Sequence, residues 1–389
     1  MCSKPVYLLI RYVSEKVRAM YIVQSVASFS VVLSMFRVCC AFISAFLCFL
    51  FSPFVEMVQA IQAVIAIYKE RLMAMPTAPD TSYGRAAFGV DGAVNRRFLW
   101  HLFLDFNIAI QFLKDTGLIR SQMTCAICGL DMTWSAIPQR RDRFRWRCRR
   151  RAATVCSETR SIGYGSWFHH SGLTLQEVLF LTYEIVHNVK AKSIVREYAH
   201  GPATVTDWRQ FVREAMAVYL EDNSQKIGGP DKTVELDESK FGKRKYHRGH
   251  RVQGQWIFGG VERGTGRSFF VPVRNRTKAT LTAIIRAWVE PGTTIISDCW
   301  AAYNDLGRQG YTHQTVNHRI GFVDPTTGAH TNTIESYWHH LKVYVDPYCR
   351  KKGYVYQLAQ YMFASRCKAD NVDPFTMFLH IVASIDWNV

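Results

Sequence analysis

The sequence predicts an α/β fold built on a mixed sheet over residues 229–389, preceded by a cysteine-held ribbon and a small helical segment. Three observations carry this. Apolar residues alternate in the runs 233–237, 252–262 and 267–273, with Gly264-Thr265-Gly266 as a hairpin turn between the last two. Helix and strand patterns then alternate: helix 277–289, strand 293–297, helix 299–307, strand 312–317 and helix 332–347. Upstream, Cys125 and Cys128 form a two-residue-spaced knuckle, and Cys148 and Cys156 follow as a second pair.

The 389 residues give room for two or three domains. Lys and Arg number 48 against 31 Asp and Glu, a formal charge of +17. That excess suits a polyanionic partner, nucleic acid first. Taken alone it also fits a ribosomal or membrane-surface protein. Eleven cysteines, an odd count scattered outside one cluster, argue against a disulfide scaffold and for a reducing compartment.

Residues 1–80 differ from the rest. The run from Val38 to Val55 is 18 residues without a charge, just long enough to span a membrane. Lys4, Arg11, Lys16 and Arg18 would keep the N-terminus cytoplasmic, while Arg37 and Pro53 weaken the span. A buried hydrophobic hairpin and a misassigned reading-frame start are the competing readings. Residues 81–120 read as linker and helix, the linker lying at 76–95 and the helical pattern running from Arg96 to Leu118.

Residues 121–171 read as a zinc-ribbon-like module, because four thiolates close a tetrahedral Zn2+ site. The seven residues between Cys148 and Cys156 are more than a ribbon normally has, so the second pair is the weaker signal. Between the pairs run Arg140, Arg141, Arg143, Arg145, Arg147, Arg149, Arg150 and Arg151, with Phe144 and Trp146 interleaved. A charge run is usually a solvated face. Beside a zinc ribbon it reads as a surface for DNA phosphates, with the aromatics on the inner face. Residues 172–228 carry three helical stretches, Leu173–Val189, Ser193–Tyr198 and Val205–Leu220, broken at Gly201-Pro202. They are compatible with a helix-turn-helix or with a plain helical linker.

In the last segment, Asp237 ends the first strand and Asp298 the fourth. The stretch His330 to Lys342 opens a helix. Thr331 and Asn332 are N-cap types, Glu335 stands three residues past Asn332 as in a capping box, and Ile334, Trp338 and Leu341 form one apolar stripe. Two strand-end carboxylates and one on a later helix can converge at one sheet edge. Like charges gather mainly around cations, and oxygen-rich sites suit Mg2+ or Mn2+. Two such ions activate water and stabilise a leaving oxygen in phosphodiester chemistry. Lys243, Arg244, Lys245 and Arg248, in a basic loop just after the first aspartate, read as a grip on DNA.

The segments Val234-Glu235-Leu236-Asp237-Glu238-Ser239-Lys240-Phe241-Gly242, Trp256 to Arg267, Ile296 to Tyr303, Val316-Asn317-His318 and Phe322 to Asn332 resemble Merlin-type DNA transposases and their bacterial insertion-sequence (ISXO-like) relatives. The resemblance runs from about Cys125 to about Cys367, with the motifs in order. It implies an RNase H-like catalytic domain and a DDE transposase that cuts and transfers DNA strands at transposon ends, using two Mg2+ or Mn2+ ions. Asp237, Asp298 and Glu335 match the triad and Lys342 the lysine that follows it. Asn332 is the alternative or assisting ligand, since some bacterial relatives use asparagine there, and His330 with Lys342 would position DNA. A homo-oligomer pairing two DNA ends is implied. The setting is the nucleus in a eukaryote, or the cytoplasm and nucleoid in a bacterium, with a membrane the alternative through 38–55. The rival function is a domesticated, non-cutting DNA-binding protein.

Overall fold

The computed structural model describes residues 59–72, 94–139, 141–149, 156–169, 171–242, 254–318, 320–321, 323–325, 327–346 and 353–387. The apolar run 38–55 and most of the 76–95 linker lie outside the described residues. Among the described residues, no helix is long and apolar enough to cross a membrane. The chain splits into two compact units: one runs to Val212 and resumes at Val372, and the other is Arg213–Asn371.

The first unit holds helices α1 (59–72), α2 (Arg96–Leu102) and α3 (Phe106–Asp115). The helical pattern over 96–118 is therefore broken. Asp105 accepts the backbone N–H of Asn107 at 2.8 Å and caps a new helix, which interrupts the old one. Strands β1 (Thr133–Ala136), β2 (Phe144–Arg147) and β3 (Thr159–Ser161) form an antiparallel sheet in that order. Helix α4 (Leu175–Val186) starts from a Thr174–Glu177 capping box. Helix α5 (Ala191–Tyr198) follows, then α6 (Pro202–Asn223), which from Arg213 on belongs to the second unit. The last begins at Pro202, earlier than expected, because a first-turn proline loses no helical hydrogen bond. Buried Glu184 is held by Arg96 through bonds of 2.5 and 2.6 Å and by the Tyr198 hydroxyl at 2.7 Å.

The second unit is a mixed α/β layer structure. Its sheet contains β5 (Thr233–Phe241), β6 (Gln255–Glu262), β7 (Ser268–Val273), β9 (Thr294–Asp298) and β10 (Thr312–Val316), in the order β10-β9-β5-β6-β7. Strands β5, β6 and β7 are an antiparallel meander; β9 runs parallel to β5, and β10 parallel to β9. The first and fourth expected strands therefore pair. A short ladder joins β4 (Ile227–Gly228) to β8 (Val289–Glu290). Val234, Leu236, Phe258 and Phe269 pack on one face with Leu281, Ile284 and Ile285 of α7 (Lys278–Trp288). Ile257, Val261 and Phe270 pack on the other with Ile334, Trp338 and Leu341 of α8 (Asn332–Tyr344) and Leu358 of α9 (Gly353–Ala369). The expected helix 299–307 is instead two 3-10 turns, Ala301–Tyr303 and Gly307–Gln309. Glycines at 307 and 310, the latter with φ +88°, oppose a regular helix there.

Candidate functional site

Period-two alternation along β5 sends Glu235 and Asp237 toward α8, and Val234, Leu236 and Glu238 toward the opposite face. The β5–β9 ladder ends at Glu235 and Ile296, which leaves Asp237, Glu238 and Asp298 at a fork between the two strands. There the three carboxylates each offer an oxygen within 4.8 Å of the others. Asp237 Oδ1 accepts the Glu238 backbone N–H at 2.7 Å, and Asp298 Oδ1 accepts that of Trp300 at 3.0 Å. Burial, with the neighbouring Asp298 and Glu335 charges, pushes the Asp237 carboxyl up to about 6. Burial and the Asp237 and Asp298 charges push Glu238 up to about 7. Close-set, charge-strained carboxylates with only oxygen donors fit a hard divalent cation.

Glu335 is exposed on the first turn of α8 and lies outside that compact group, yet near enough to act on the Asp237 charge. Helix α8 is fixed to the sheet at two points. Trp338 Nε1 donates to Asp237 Oδ2 at 2.8 Å. Gly259, paired with Asp237 across the ladder, makes room for this ring: a Cβ there would come within 2.9 Å of Trp338. The second point is Glu235, fully buried, whose Oε2 accepts the Ile334 backbone N–H at 2.9 Å.

That bond corrects the expected capping box. The N-cap is Thr331, without a side-chain cap bond, and Asn332 is the first helical residue, so Glu335 is one place too late. Thr331 Oγ1 turns to His318 Nε2 at 3.2 Å, and strand residue Glu235 supplies the missing acceptor. Arg263 balances Glu235, with Nε 2.6 Å from Oε1, and also reaches the His330 carbonyl at 2.7 Å and its Nδ1 at 3.0 Å. His330 is thus tied into this network. Asn332 is exposed at the helix start, and Lys342 is exposed with Nζ 6.0 Å from the Phe241 ring. Glu235, Glu238, the Trp338 indole donor and Arg276 also stand in or beside this network, without having been among the residues expected there. The Arg276 guanidinium lies 3.9 Å from the Trp256 ring and 4.9 Å from that of Trp300. Lys243, Arg244, Lys245 and Arg248 lie outside the described residues.

In the first unit, Cys125, Cys128, Cys148 and Cys156 bring their sulfurs within 4.8 Å of one another. Cys125 and Cys156 are 3.6 Å apart, Cys128 and Cys148 3.4 Å. Tetrahedral sulfur at the ~2.3 Å zinc bond length gives S···S near ~3.8 Å, so the set fits Zn2+. The chain turns at Gly129, φ +69°, and its N–H bonds to the Cys125 carbonyl at 2.9 Å. Backbone N–H groups of Cys128 and Ile127 pull the Cys125 thiol down to about 7. Trp146 is buried edge-on to Trp134 at 4.8 Å, so it serves the module's interior. Arg145 and Arg147 alternate with it and are partly exposed, whereas Arg143 and Arg149 are exposed. Arg141 is bonded to Glu177 at 2.9 Å. Arg140, Arg150 and Arg151 lie outside the described residues.

Residues 227–347 match the family model of the ISXO2-like transposase domain. An uncharacterized transposase-like protein of Haemophilus influenzae is 31% identical over 74 residues, 19% of this chain. The chain spans 58% of that relative's length. Among solved structures, the catalytic core domain of BIV integrase is similar over 33% of this chain and 80% of its own, at 15% identity and TM-score 0.24. The HTLV-2 integrase catalytic core domain in complex with magnesium is similar over 36% and 88%, at 15% identity and TM-score 0.23.

Proposed function

We propose that this protein is a DDE transposase of the Merlin and ISXO-like kind, which cleaves DNA at transposon ends and joins the freed strand to target DNA. The observation that carries the reading is the pairing of β5 with β9, which sets Asp237 and Asp298 side by side within the stretch matching a transposase domain. Asp237 and Asp298 hold divalent cations, and Glu335 approaches from α8. Bound Mg2+ or Mn2+ would supply a nucleophile from water at neutral pH and charge stabilisation for the leaving oxygen. Water attacks the phosphodiester phosphorus, its O–P bond forms, the bond to the 3′ oxygen breaks, and that oxygen leaves as a 3′-hydroxyl. In the second step this hydroxyl attacks a target phosphodiester and a target 3′ oxygen departs, so phosphodiester bonds are conserved. Lys342 and His330 position DNA. Asn332 is an orienting group at the helix start.

The cysteine module would hold Zn2+ and offer Arg143, Arg145, Arg147 and Arg149 to DNA phosphates. Two chains acting together would bring two ends into one complex, in the nucleus or nucleoid where the DNA lies. The test is incubation of the full chain with Mg2+ and a duplex carrying the repeats that flank its coding region. Nicks with 3′-hydroxyl termini at the repeat boundary support the reading; metal-independent binding without any cleavage refutes it.

A further inference from the structure

Four side chains beside the carboxylates form a strip that the proposed reaction leaves unused. Lys240 and Trp256 are partners in the β5–β6 ladder, Trp256 pairs with Val273 in the β6–β7 ladder, and Arg276 follows three residues later. Trp300 lies two residues past Asp298, the end of β9. Strands β5, β7 and β9 run the same way and β6 against them, so all four residues stand at the sheet edge that carries the carboxylates. Cation and ring alternate along the strip. Lys240 Nζ is 5.6 Å from the centre of the Trp256 ring, and the Arg276 guanidinium is 3.9 Å from that centre and 4.9 Å from that of Trp300. Arg276 closes no ion pair among the described residues, and its charge acts on the Glu238 carboxylate. The Trp300 backbone N–H donates to Asp298 Oδ1 at 3.0 Å, and its indole Nε1 to the Arg276 carbonyl at 3.5 Å. The side chain is held in this way and still 42% exposed.

A cation over one indole is a common surface feature. Two rings on one guanidinium, a lysine beyond them and phosphate-handling carboxylates two residues away make a more specific layout. It is that of a single-strand groove, with basic groups along the backbone and aromatic rings under the bases. We propose that Trp300 is a stacking platform for an unpaired nucleobase of the DNA strand whose phosphate lies at Asp237 and Asp298, with Arg276 backing the ring and meeting an adjoining phosphate. This rests on the DNA-cleaving reading of that site. Two residues of chain reach at most about 7 Å, and stacked DNA advances about 3.4 Å per nucleotide, so the base in reach lies within about two nucleotides of the reacting phosphate. A base held there has left its neighbour's stack, which opens the phosphodiester to the carboxylates. Every base has a flat face to offer an indole, so the platform is tolerant of sequence.

The test uses the full chain in Mg2+ with a short oligothymidine strand carrying one 5-iodouracil, which couples under near-ultraviolet light to an aromatic side chain stacked on it. The crosslinked peptide should contain Trp300, and Trp300→Ala should lose that crosslink. On an end-bearing duplex Trp300→Ala should cut about five- to a hundredfold more slowly, the worth of one base on an aromatic ring, while Trp300→Phe keeps most of the rate. A duplex whose base beside the cut is already unpaired should restore part of the Trp300→Ala rate, because the unstacking has been done. Thermal unfolding checks that each variant is folded. Crosslinks that fall only on other residues overturn the proposal, whether the strand passes elsewhere or a second copy of the chain covers the ring. Cleavage by Trp300→Ala at the wild-type rate overturns it too and leaves the transposase reading standing. Crosslinking at Trp300 in a chain that cuts no duplex does the reverse.

Discussion

Trp338 donates its indole N–H to Asp237 Oδ2 at 2.8 Å, so the helix carrying Glu335 is fastened directly to the carboxylate delivered by β5. Trp338→Phe keeps the ring and removes the donor. The lost bond had favoured the ionised carboxylate, so the Asp237 carboxyl should rise above its value of about 6. The acid limb of the cleavage pH profile should move to higher pH, with cleavage near neutrality falling about tenfold. An unmoved profile would mean that the bond has no bearing on the reactive carboxylate.

Gly259 should be as sensitive as any residue in the sheet. Its φ is not the issue; the issue is the 2.9 Å approach of Trp338 to the place a Cβ would occupy, with Phe270 at 2.7 Å. Gly259→Ala should cost about 1–3 kcal/mol through overpacking and displace the Trp338 ring. Denaturant unfolding and tryptophan fluorescence would register the two effects.

The pH dependence of the metal-free fold follows from the raised carboxyls. Asp237 sits at about 6 and Glu238 at about 7, above the ordinary values of 3.8 and 4.5. The folded state holds these protons more tightly than the unfolded one. Their contribution to stability is therefore complete below about pH 4 and lost as pH rises through 6–7. In EDTA the wild type should lose more stability between pH 5 and 8 than Asp237→Asn, and Mg2+ should restore it at pH 8. Parallel pH–stability curves for the two proteins would contradict this.

Buried Glu184 depends on Arg96. Arg96→Met leaves it with Tyr198 alone and should destabilise the first unit by about 1–3 kcal/mol, less than for a fully buried pair because the Arg96 side chain is more than half exposed. Glu184→Gln in the same chain should recover part of that loss, because no charge is then left buried. Equal stability of the single and double variants would argue that the pair contributes nothing.

The strands and the neighbouring positions of Asp237 and Asp298 were legible because period-two alternation and the Gly264-Thr265-Gly266 turn are local signals. Gly264 and Gly266 indeed adopt φ of +83° and +73°. The cap of α8 was not legible. Asn332 and Glu335 imitate a capping box, whereas the real acceptor, Glu235, lies 99 residues before Ile334 and reaches it only through the folded sheet. Glu238 was hidden by the same alternation that exposed Asp237: adjacent strand residues face opposite ways, and only the fork between β5 and β9 brings both carboxylates together. Gly307 and Gly310 were the overlooked signal against the helix expected over 299–307. The four cysteines were legible as one site although the long spacing from Cys148 to Cys156 made the second pair the weaker signal, and within the cluster Cys156 meets Cys125.

Under the proposed function, Asp237 and Asp298 would hold the ions on which DNA cleavage depends. Asp298→Asn keeps the shape and the acceptor that Trp300 uses but removes the charge. Cleavage of an end-bearing duplex in Mg2+ should be compared with wild type, with binding of the same duplex measured alongside. Cleavage should fall about a hundred- to a thousandfold, on the order expected when a transition-state charge stabiliser is removed, with duplex affinity unchanged. Cleavage close to wild type by Asp298→Asn would contradict it.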